Sequence, residues 1–304
     1  MMKRHKKLYR AALSLLMLIA LCAGLPSAPA SADAEMRRTV IGADLDDAQI
    51  ETVYRSFGIE RGTVPELRLT NAEERAALAG SLDEAVIGTR AISCVYFELL
   101  PEGSGLLVRT ENISFCTAEM YRNSLRTAGI NDAKLIVAAP FSVSGTAAMA
   151  GVYKAYEDMT GETLNTEAKT AGTQELTITG ELADELGSDD SAQSIIGELK
   201  AMLSETAGMT DDEIRETIRG IADEHNVRLT ETQVQQLLDL CRALEKLDPE
   251  RLSQSAEDAK NTLQKMEDAK EKVGGFLQTV KRAFESVKSL FEKLAELTGR
   301  NHEL

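Results

Sequence analysis

An almost uninterrupted apolar run, Ala133 to Ala139 (AKLIVAA), is the feature that most constrains the fold of this chain. A short apolar run of this kind is typical of a buried strand. Other strand-like segments precede it, at 38–43, 67–69, 91–100 and 105–115. Segments with helical apolar spacing alternate with them, and this order predicts the packed layers of an α+β (or α/β) domain over residues 35–170.

The segments 91–100 and 105–115 are joined by the turn-forming sequence Pro-Glu-Gly-Ser-Gly. Two strands with a short Gly-containing connection predict a β-hairpin. Cys94 and Cys116 would then lie on neighbouring strands and could form a disulfide in an exported chain. The alternative is three buried thiols, with Cys241 as the third. There is no Cys-x-x-Cys spacing to suggest zinc or thioredoxin-like chemistry.

Capping boxes mark where helices begin. In this pattern an Asp or Thr side chain accepts from the backbone three residues later, and a Gln or Glu at that position reaches back. Boxes open at Asp46, Thr70, Thr210 and Thr230. The last two lie within residues 171–248, which have helical patterns throughout. We predict that this segment is a helical region packed on the first domain.

The last part of the chain, residues 249–304, predicts amphipathic heptad helices. From Leu252 to Leu294 the positions of the seam are spaced alternately four and three residues apart, and all are apolar except Lys270. Such a seam needs a partner helix, within the chain, on a protein partner or on a second copy. Gly274-Gly275 is either a hinge or a weak point in one long helix. Only residues 276–297 could contact a membrane, and their mixture of positive and negative charges disfavours that contact.

Residues 1–34 predict a cleaved secretory signal peptide. A basic start, an apolar segment at 11–25 and an Ala-x-Ala sequence follow one another in the order that such peptides use. Cleavage after Ala32 and cleavage after Ala34 both fit. The apolar segment of about 15 residues is shorter than the roughly 20 that a spanning helix needs. A secreted, extracellular or cell-wall-associated protein is therefore expected.

The charge of the chain excludes one class of partner. The formal net charge is −15, and removal of residues 1–32, which hold five basic and no acidic residues, takes it to −20. Nucleic-acid binding needs a basic surface that displaces counterions from phosphate, so nucleic acid is not an expected partner. There is no Trp, which makes a carbohydrate-binding cleft less favoured.

Catalytic and metal-binding motifs are absent from the sequence. Beyond the signal peptide the histidines are His225 and His302, and no catalytic residue, metal site or cofactor is predicted. The most distinctive stretch is 138–148 (AAPFSVSGTAA), where a helix start could hold an anion on its N–H groups. Plain N-capping is the alternative. The candidate ligand-binding residues are Ser142, Ser144, Gly145 and Thr146 in this stretch, together with Arg90 before the strand at 91–100.

The runs 41–45 (IGADL), 70–73 (TNAE), 87–93 (IGTRAIS) and 138–148 occur in this order along the chain. Together they resemble the bacterial "domain of unknown function 1002" family of YpuA-like proteins, and the similarity extends over roughly residues 39–250. The resemblance implies an exported protein of Gram-positive bacteria, in the envelope or outside the cell. The family has no established activity, so the resemblance gives no catalytic residues for this chain.

The function expected from the sequence is therefore that of a non-enzymatic envelope or extracellular binding protein. The alternative is an envelope hydrolase that uses Ser144 or a pair of carboxylates near the 138–148 turn.

Overall fold

The structure, a computed structural model, describes residues 36–78, 87–254 and 256–257. The chain divides into two compact units. The first comprises residues up to 79, 83–122 and 130–164, and the second comprises 80–82, 123–129 and the chain from 165 onward. The predicted signal peptide and nearly all of the predicted heptad helices lie outside the described residues.

A mixed sheet is the framework of the first unit. Within the described residues it has five strands in the order β2-β1-β3-β5-β4. The strands are β1 (Arg37–Gly42), β2 (Glu66–Leu69), β3 (Cys94–Leu99), β4 (Leu106–Ile113) and β5 (Ala133–Val143). β3 runs antiparallel to its neighbours β1 and β5, whereas β2 pairs in parallel with β1, and β4 in parallel with β5. Every strand except β3 therefore ends at the same edge of the sheet.

The predicted hairpin between 91–100 and 105–115 is wrong. β5 inserts between β3 and β4, pairing Cys94 with Ala138 on one side and Val108 with Leu135 on the other. The reason is burial: from Ala133 to Ala139 only Lys134 is exposed, while β4 alternates between buried and exposed positions. A strand that is apolar on both faces is stable in the middle of a sheet, and a half-polar strand is stable at its edge.

Four helices accompany this sheet, and two of them pack on its opposite faces. The four are α1 (Asp47–Phe57), α2 (Asn71–Leu78), α3 (Ala118–Thr127) and α4 (Ala148–Thr160), and α3 crosses the boundary between the units. α1 packs Tyr54 and Phe57 against Tyr96 on one face. α4 packs on the other face, where Gly151 lies against Val40 and Val95. The α+β fold expected from the sequence is thus confirmed.

The described part of the second unit is helical. Its helices are α5 (Thr166–Leu186), α6 (Asp189–Ala201), α7 (Leu203–Thr206), α8 (Asp211–Glu224) and α9 (Glu231–Glu245). The predicted capping boxes at Thr210 and Thr230 are both formed. The core is aliphatic, with Leu176, Ile195, Ile218 and Leu237 each at most 1% exposed. No helix in the described ranges has the length and apolar character of a membrane span.

The cysteines of the described residues are free and buried. Since β5 separates β3 from β4, Cys94 and Cys116 do not lie on neighbouring strands. Burial raises the pKa of the Cys94 and Cys116 thiols to about 12 and that of Cys241 to about 11. The thiolate is the reactive form of cysteine, so these thiols are unreactive in the folded chain.

We expect the folded protein to resist iodoacetamide at pH 8. Cys94, Cys116 and Cys241 should stay unmodified for as long as the fold is intact, because the reagent needs an accessible thiolate. Intact-mass spectrometry before and after denaturation in guanidinium measures this directly. Full labelling should follow denaturation, without prior reduction. Labelling that requires a reductant would show that a disulfide is present instead.

Candidate functional site at the ends of β1 and β2

β1 and β2 are neighbouring parallel strands, and the polypeptide continues from their ends onto opposite faces of the sheet. After β1 the chain enters α1 on one face, and after β2 it enters α2, which packs with α4 on the other face. Lys154 of α4 donates to Glu73 of α2 over 2.6 Å. Neighbouring parallel strands that diverge in this way open a crevice at their carboxyl ends, and this is where α/β proteins place ligands.

The turn after β1 is held by the segment that precedes β3. The backbone N–H of Ala91 donates to Asp44 Oδ2 over 2.7 Å, and Arg90 Nη2 donates to the Asp44 carbonyl over 3.1 Å. Gly42 makes this approach possible, because a Cβ at that position would collide with the Ala91 carbonyl. Arg90, a candidate ligand-binding residue, therefore fixes the Asp44 turn.

The start of α2 carries a second set of polar contacts. Arg75 Nε donates to Asn71 Oδ1 over 3.0 Å, and Arg75 Nη2 donates to the Gly88 carbonyl over 2.5 Å. Asn71 Nδ2 in turn donates to Glu74 Oε2 over 3.3 Å. Asn71 therefore holds one oxygen of the Glu74 carboxyl, and Arg75 links Asn71 to the Gly88 carbonyl.

Glu74 is the most unusual side chain in this region. It is 0% exposed, and its Oε1 has no hydrogen-bond partner in the part of the chain that the structure describes. Burial raises the pKa of the Glu74 carboxyl to about 7; the Asn71 hydrogen bond and the Arg75 charge lower this pKa, and the Asp44 charge raises it. A buried polar atom without a partner is costly, so its presence calls for an explanation.

The adjacent residue, Glu73, shows how much the surroundings matter. Its carboxylate accepts from Lys154 and from the backbone and side chain of Thr70, in the capping box expected from the sequence. These bonds lower the pKa of the Glu73 carboxyl to about 2. The Lys154 and Thr70 donors thus favour the ionised form of Glu73, whereas burial of the neighbouring Glu74 favours its protonated form.

Three sequence runs meet at this edge of the sheet: 41–45, 70–73 and 87–93. Sequence reasoning selected each run separately but did not bring them together, and it missed Glu74 entirely. Glu74 immediately follows the Thr70 capping box, so the local pattern marked its position without revealing its burial.

The 138–148 turn is a separate place in the first unit. β5 continues to Val143, beyond the predicted strand end at Ala139. Ser142 and Ser144 are exposed, and Ser144 Oγ lies 3.4 Å from the Thr146 hydroxyl, which is buried. Ser144 therefore has another hydroxyl as its side-chain partner, and a hydroxyl is not a general base.

The start of α4 is closed by its own turn. The N–H groups of Ala148 and Met149 donate to the carbonyls of Gly145 and Thr146, over 3.0 and 3.2 Å. The N-cap, Ala147, makes no side-chain capping bond. These two N–H groups are therefore satisfied by backbone carbonyls and not by a side-chain cap.

No hydrogen bond among the described residues joins Arg90 to the serine and threonine hydroxyls of the 138–148 turn. Arg90 instead bonds to the turn after β1, and the Ser144 and Thr146 hydroxyls bond to each other.

Replacing Glu74 with Gln should change how stability depends on pH. The pKa of Glu74 is about 4.5 when unfolded and about 7 when folded, so its stabilising effect is complete below pH 4.5 and is lost as pH rises through 7. The total change in the free energy of unfolding from this effect is about 3 kcal/mol. Urea unfolding at pH 5 and pH 8 should show Glu74→Gln close to the unsubstituted protein at pH 5 and more stable at pH 8.

The matched control for this prediction is Glu102→Gln, which removes a carboxylate from an exposed turn. It should leave the pH profile of the unfolding free energy unchanged. Equal profiles for the unsubstituted protein and Glu74→Gln would show that Glu74 is ionised normally in the folded state.

The family of this chain follows from its similarity to known proteins. A family profile described as "Protein of unknown function (DUF1002)" matches residues 41–266. The chain belongs to the DUF1002 family. The "Uncharacterized protein YpuA" of Bacillus subtilis (strain 168) is 36% identical over 251 residues, which cover 81% of this chain and 85% of that protein. No solved structure gives a significant match.

The resemblance expected from the sequence runs is therefore confirmed. The DUF1002 match contains the carboxyl ends of β1 and β2, the 138–148 turn and the described helices of the second unit.

Proposed function

We propose that this DUF1002 protein is an exported, non-enzymatic binding protein of the cell envelope or extracellular space. Its ligand would bind at the carboxyl ends of β1 and β2. One observation carries the proposal: the Glu74 carboxyl is buried with an oxygen that has no partner among the described residues, beside a strand divergence of the kind that forms ligand crevices. The bonds that Asp44 makes with Ala91 and Arg90 hold the β1 side of this site in place, which supplies part of the preorganisation that binding sites need.

Two features support export and binding over catalysis. The order of basic, apolar and small residues in 1–34 supports export. The buried thiols, with pKa values of about 11 to 12, and the pairing of Ser144 with a hydroxyl are the opposite of an activated nucleophile.

Cosedimentation with isolated bacterial cell walls tests the proposal. The purified chain from residue 35 onward is mixed with walls and pelleted at low and at physiological salt. We expect retention that survives physiological salt, because specific contacts at a preorganised crevice are screened less than loose surface charge. An unrelated protein of similar negative charge is the control and should stay in the supernatant.

Loss of the protein from the walls at physiological salt would contradict a specific wall ligand. Export is tested separately, by expressing the full chain and measuring its mass outside the cytoplasm. The proposal expects a product that begins at Asp33 or Glu35.

A hydrolase is the second candidate, and one specific observation favours it. Glu74 is buried with a pKa of about 7, while the exposed Asp44 lies near enough for its charge to raise that pKa. Two carboxyl groups with such different surroundings can divide the roles of acid and base. Release of soluble fragments from cell walls by the unsubstituted protein, and its loss in Glu74→Gln, would establish this candidate over simple binding.

A partner surface on the heptad seam at 252–294 is a separate proposal, which rests on the sequence spacing. It would provide self-association or capture of a protein partner. Sedimentation equilibrium of the chain from residue 35 onward, with and without Ser at Phe284 and Phe291, tests it, because the substituted chain should lose any self-association.

A further inference from the structure

We propose that the ligand group bound at Glu74 is a primary ammonium, presented by an amine-bearing ligand. The inference rests on the proposed binding function and names the chemistry of its site. It starts from Glu74 Oε1, which has no partner among the described residues. In the ionised form of Glu74 this oxygen can only accept hydrogen bonds, so the partner that would stabilise the ionised form is a donor.

Charge selects among the possible donors. An ionised carboxylate in a buried position is strongly disfavoured unless a positive charge compensates it. An ammonium supplies both the N–H donor and the charge, and hydrogen bonds between ionised partners are about twice as strong as neutral ones. A neutral hydroxyl or amide would supply the donor alone. An anion would meet the charges of Glu74 and Asp44 and would be repelled.

The charged groups near Glu74 bind other partners. Arg75 directs its Nε to Asn71 Oδ1 and its Nη2 to the Gly88 carbonyl, so these nitrogens are not on Oε1. The side chain of Asp44, the acidic neighbour, is held by the Ala91 N–H. Both neighbours are therefore engaged elsewhere, while Glu74 Oε1 receives no donor from the described residues.

A metal ion fits the same place poorly. Ca²⁺ takes six to eight oxygen ligands, and Mg²⁺ requires a near-octahedral set. Asp44 Oδ2 and Asn71 Oδ1, the oxygens that could join Glu74, already accept other hydrogen bonds. The described residues contain no group of three or more His, Cys, Asp or Glu side chains that could hold a metal.

Binding of an ammonium at this carboxyl has a distinctive dependence on pH. Only ionised Glu74 binds the ammonium, while the Arg75 charge lowers its pKa and the Asp44 charge raises it. Below about pH 7 the carboxyl must lose a proton first, so the affinity should fall about tenfold for each pH unit. Because Glu74 is closed to solvent, the short helix α2 must open locally to admit the ligand.

Isothermal titration calorimetry of the chain from residue 35 onward with n-butylammonium chloride tests the inference. The same titration is made with n-butanol, which keeps the shape without the charge, and with tetramethylammonium, which keeps the charge without N–H donors. We expect saturable binding of n-butylammonium alone at pH 8, and binding weakened about tenfold at pH 6. Glu74→Gln should abolish it, and the exposed control Glu102→Gln should retain it.

Three results would overturn the inference: no saturable binding of n-butylammonium, equal binding by Glu74→Gln, or binding of the alcohol as strongly as of the amine. Such a failure is distinguishable from failure of the proposed function. Cell-wall retention that persists in Glu74→Gln would leave a binding protein whose ligand does not use this carboxyl. Loss of wall retention together with saturable amine binding would reject the wall as the source of the ligand and keep the site.

Discussion

Replacement of Lys200 by Met should lower the free energy of unfolding of the helical unit by about 3–5 kcal/mol. Lys200 Nζ lies 2.8 and 3.0 Å from the two carboxylate oxygens of Glu175, and both residues are buried. The Thr127 hydroxyl completes this cluster, since it lies 2.9 Å from Lys200 Nζ and donates to Glu175 Oε2. Removing the ammonium leaves a carboxylate that is 1% exposed and uncompensated.

Urea denaturation followed by circular dichroism measures this loss, and hydrogen exchange of the α5 amides assigns it to the second unit. The matched control is Glu175→Leu combined with Lys200→Met, which removes both charges. Because a buried ion pair gains little over apolar residues of similar volume, the double variant should recover most of the loss. The Thr127 hydroxyl keeps the Asn123 carbonyl as an acceptor. A cost below about 1 kcal/mol for the single variant would show that water reaches Glu175.

Replacement of Gly145 by Ala should destabilise the first unit by about 3 kcal/mol. Gly145 has φ +95°, and a Cβ there would lie 2.5 Å from Ile113 Cγ2 and 2.7 Å from the Tyr121 hydroxyl oxygen. That hydroxyl donates to the Gly145 carbonyl over 2.5 Å. The substitution therefore combines backbone strain with overpacking and disturbs a buried hydrogen bond.

Gly161→Ala is the matched control for this prediction. Gly161 also has a positive φ, of +69°, but no atom lies within 4 Å of the position that a Cβ would take there. Gly161→Ala should lower the free energy of unfolding only by the cost of the left-handed backbone conformation, about 1 kcal/mol. Urea unfolding of both variants separates the two contributions. Equal losses would mean that the neighbours of Gly145 move aside without cost.

Local chemistry was predictable from this sequence wherever a few neighbouring residues decide the structure. The capping box at Asp46 forms as expected, and Gly58 ends α1 in the left-handed conformation. The run Ala133 to Ala139 is a buried strand, as its composition predicts. In each case the hydrogen bonds or the burial follow from residues close together in the chain.

Strand pairing was not predictable in the same way. The Gly-rich connection after β3 predicted a hairpin, but the choice of partner depends on which strand needs two buried faces. That strand, β5, comes later in the sequence. The burial of residues far along the chain therefore outweighs the local turn chemistry.

The polar clusters were missed for a related reason. Glu73 and Glu74 are the same residue type at adjacent positions of α2, and they differ in the direction of their side chains. The burial of Glu74 is set by the tertiary packing of α2. Glu175 and Lys200 are on different helices, where sequence patterns predict exposed charges. Only the assembled fold shows that these charges are enclosed.

The position of β5 in the sheet also decides when the first unit can fold. β3 obtains its second neighbour, and β4 obtains its pairing partner, only once the chain has reached Ala133 to Val143. A chain that emerges from its amino terminus, whether from a ribosome or across a membrane, thus carries two strands with unpaired backbone until this late segment arrives. Pairings between distant segments form slowly, because the loop between them must close first. The sheet therefore cannot complete its folding until nearly half of the chain is present. Any factor that shields exposed strand edges would act before that point.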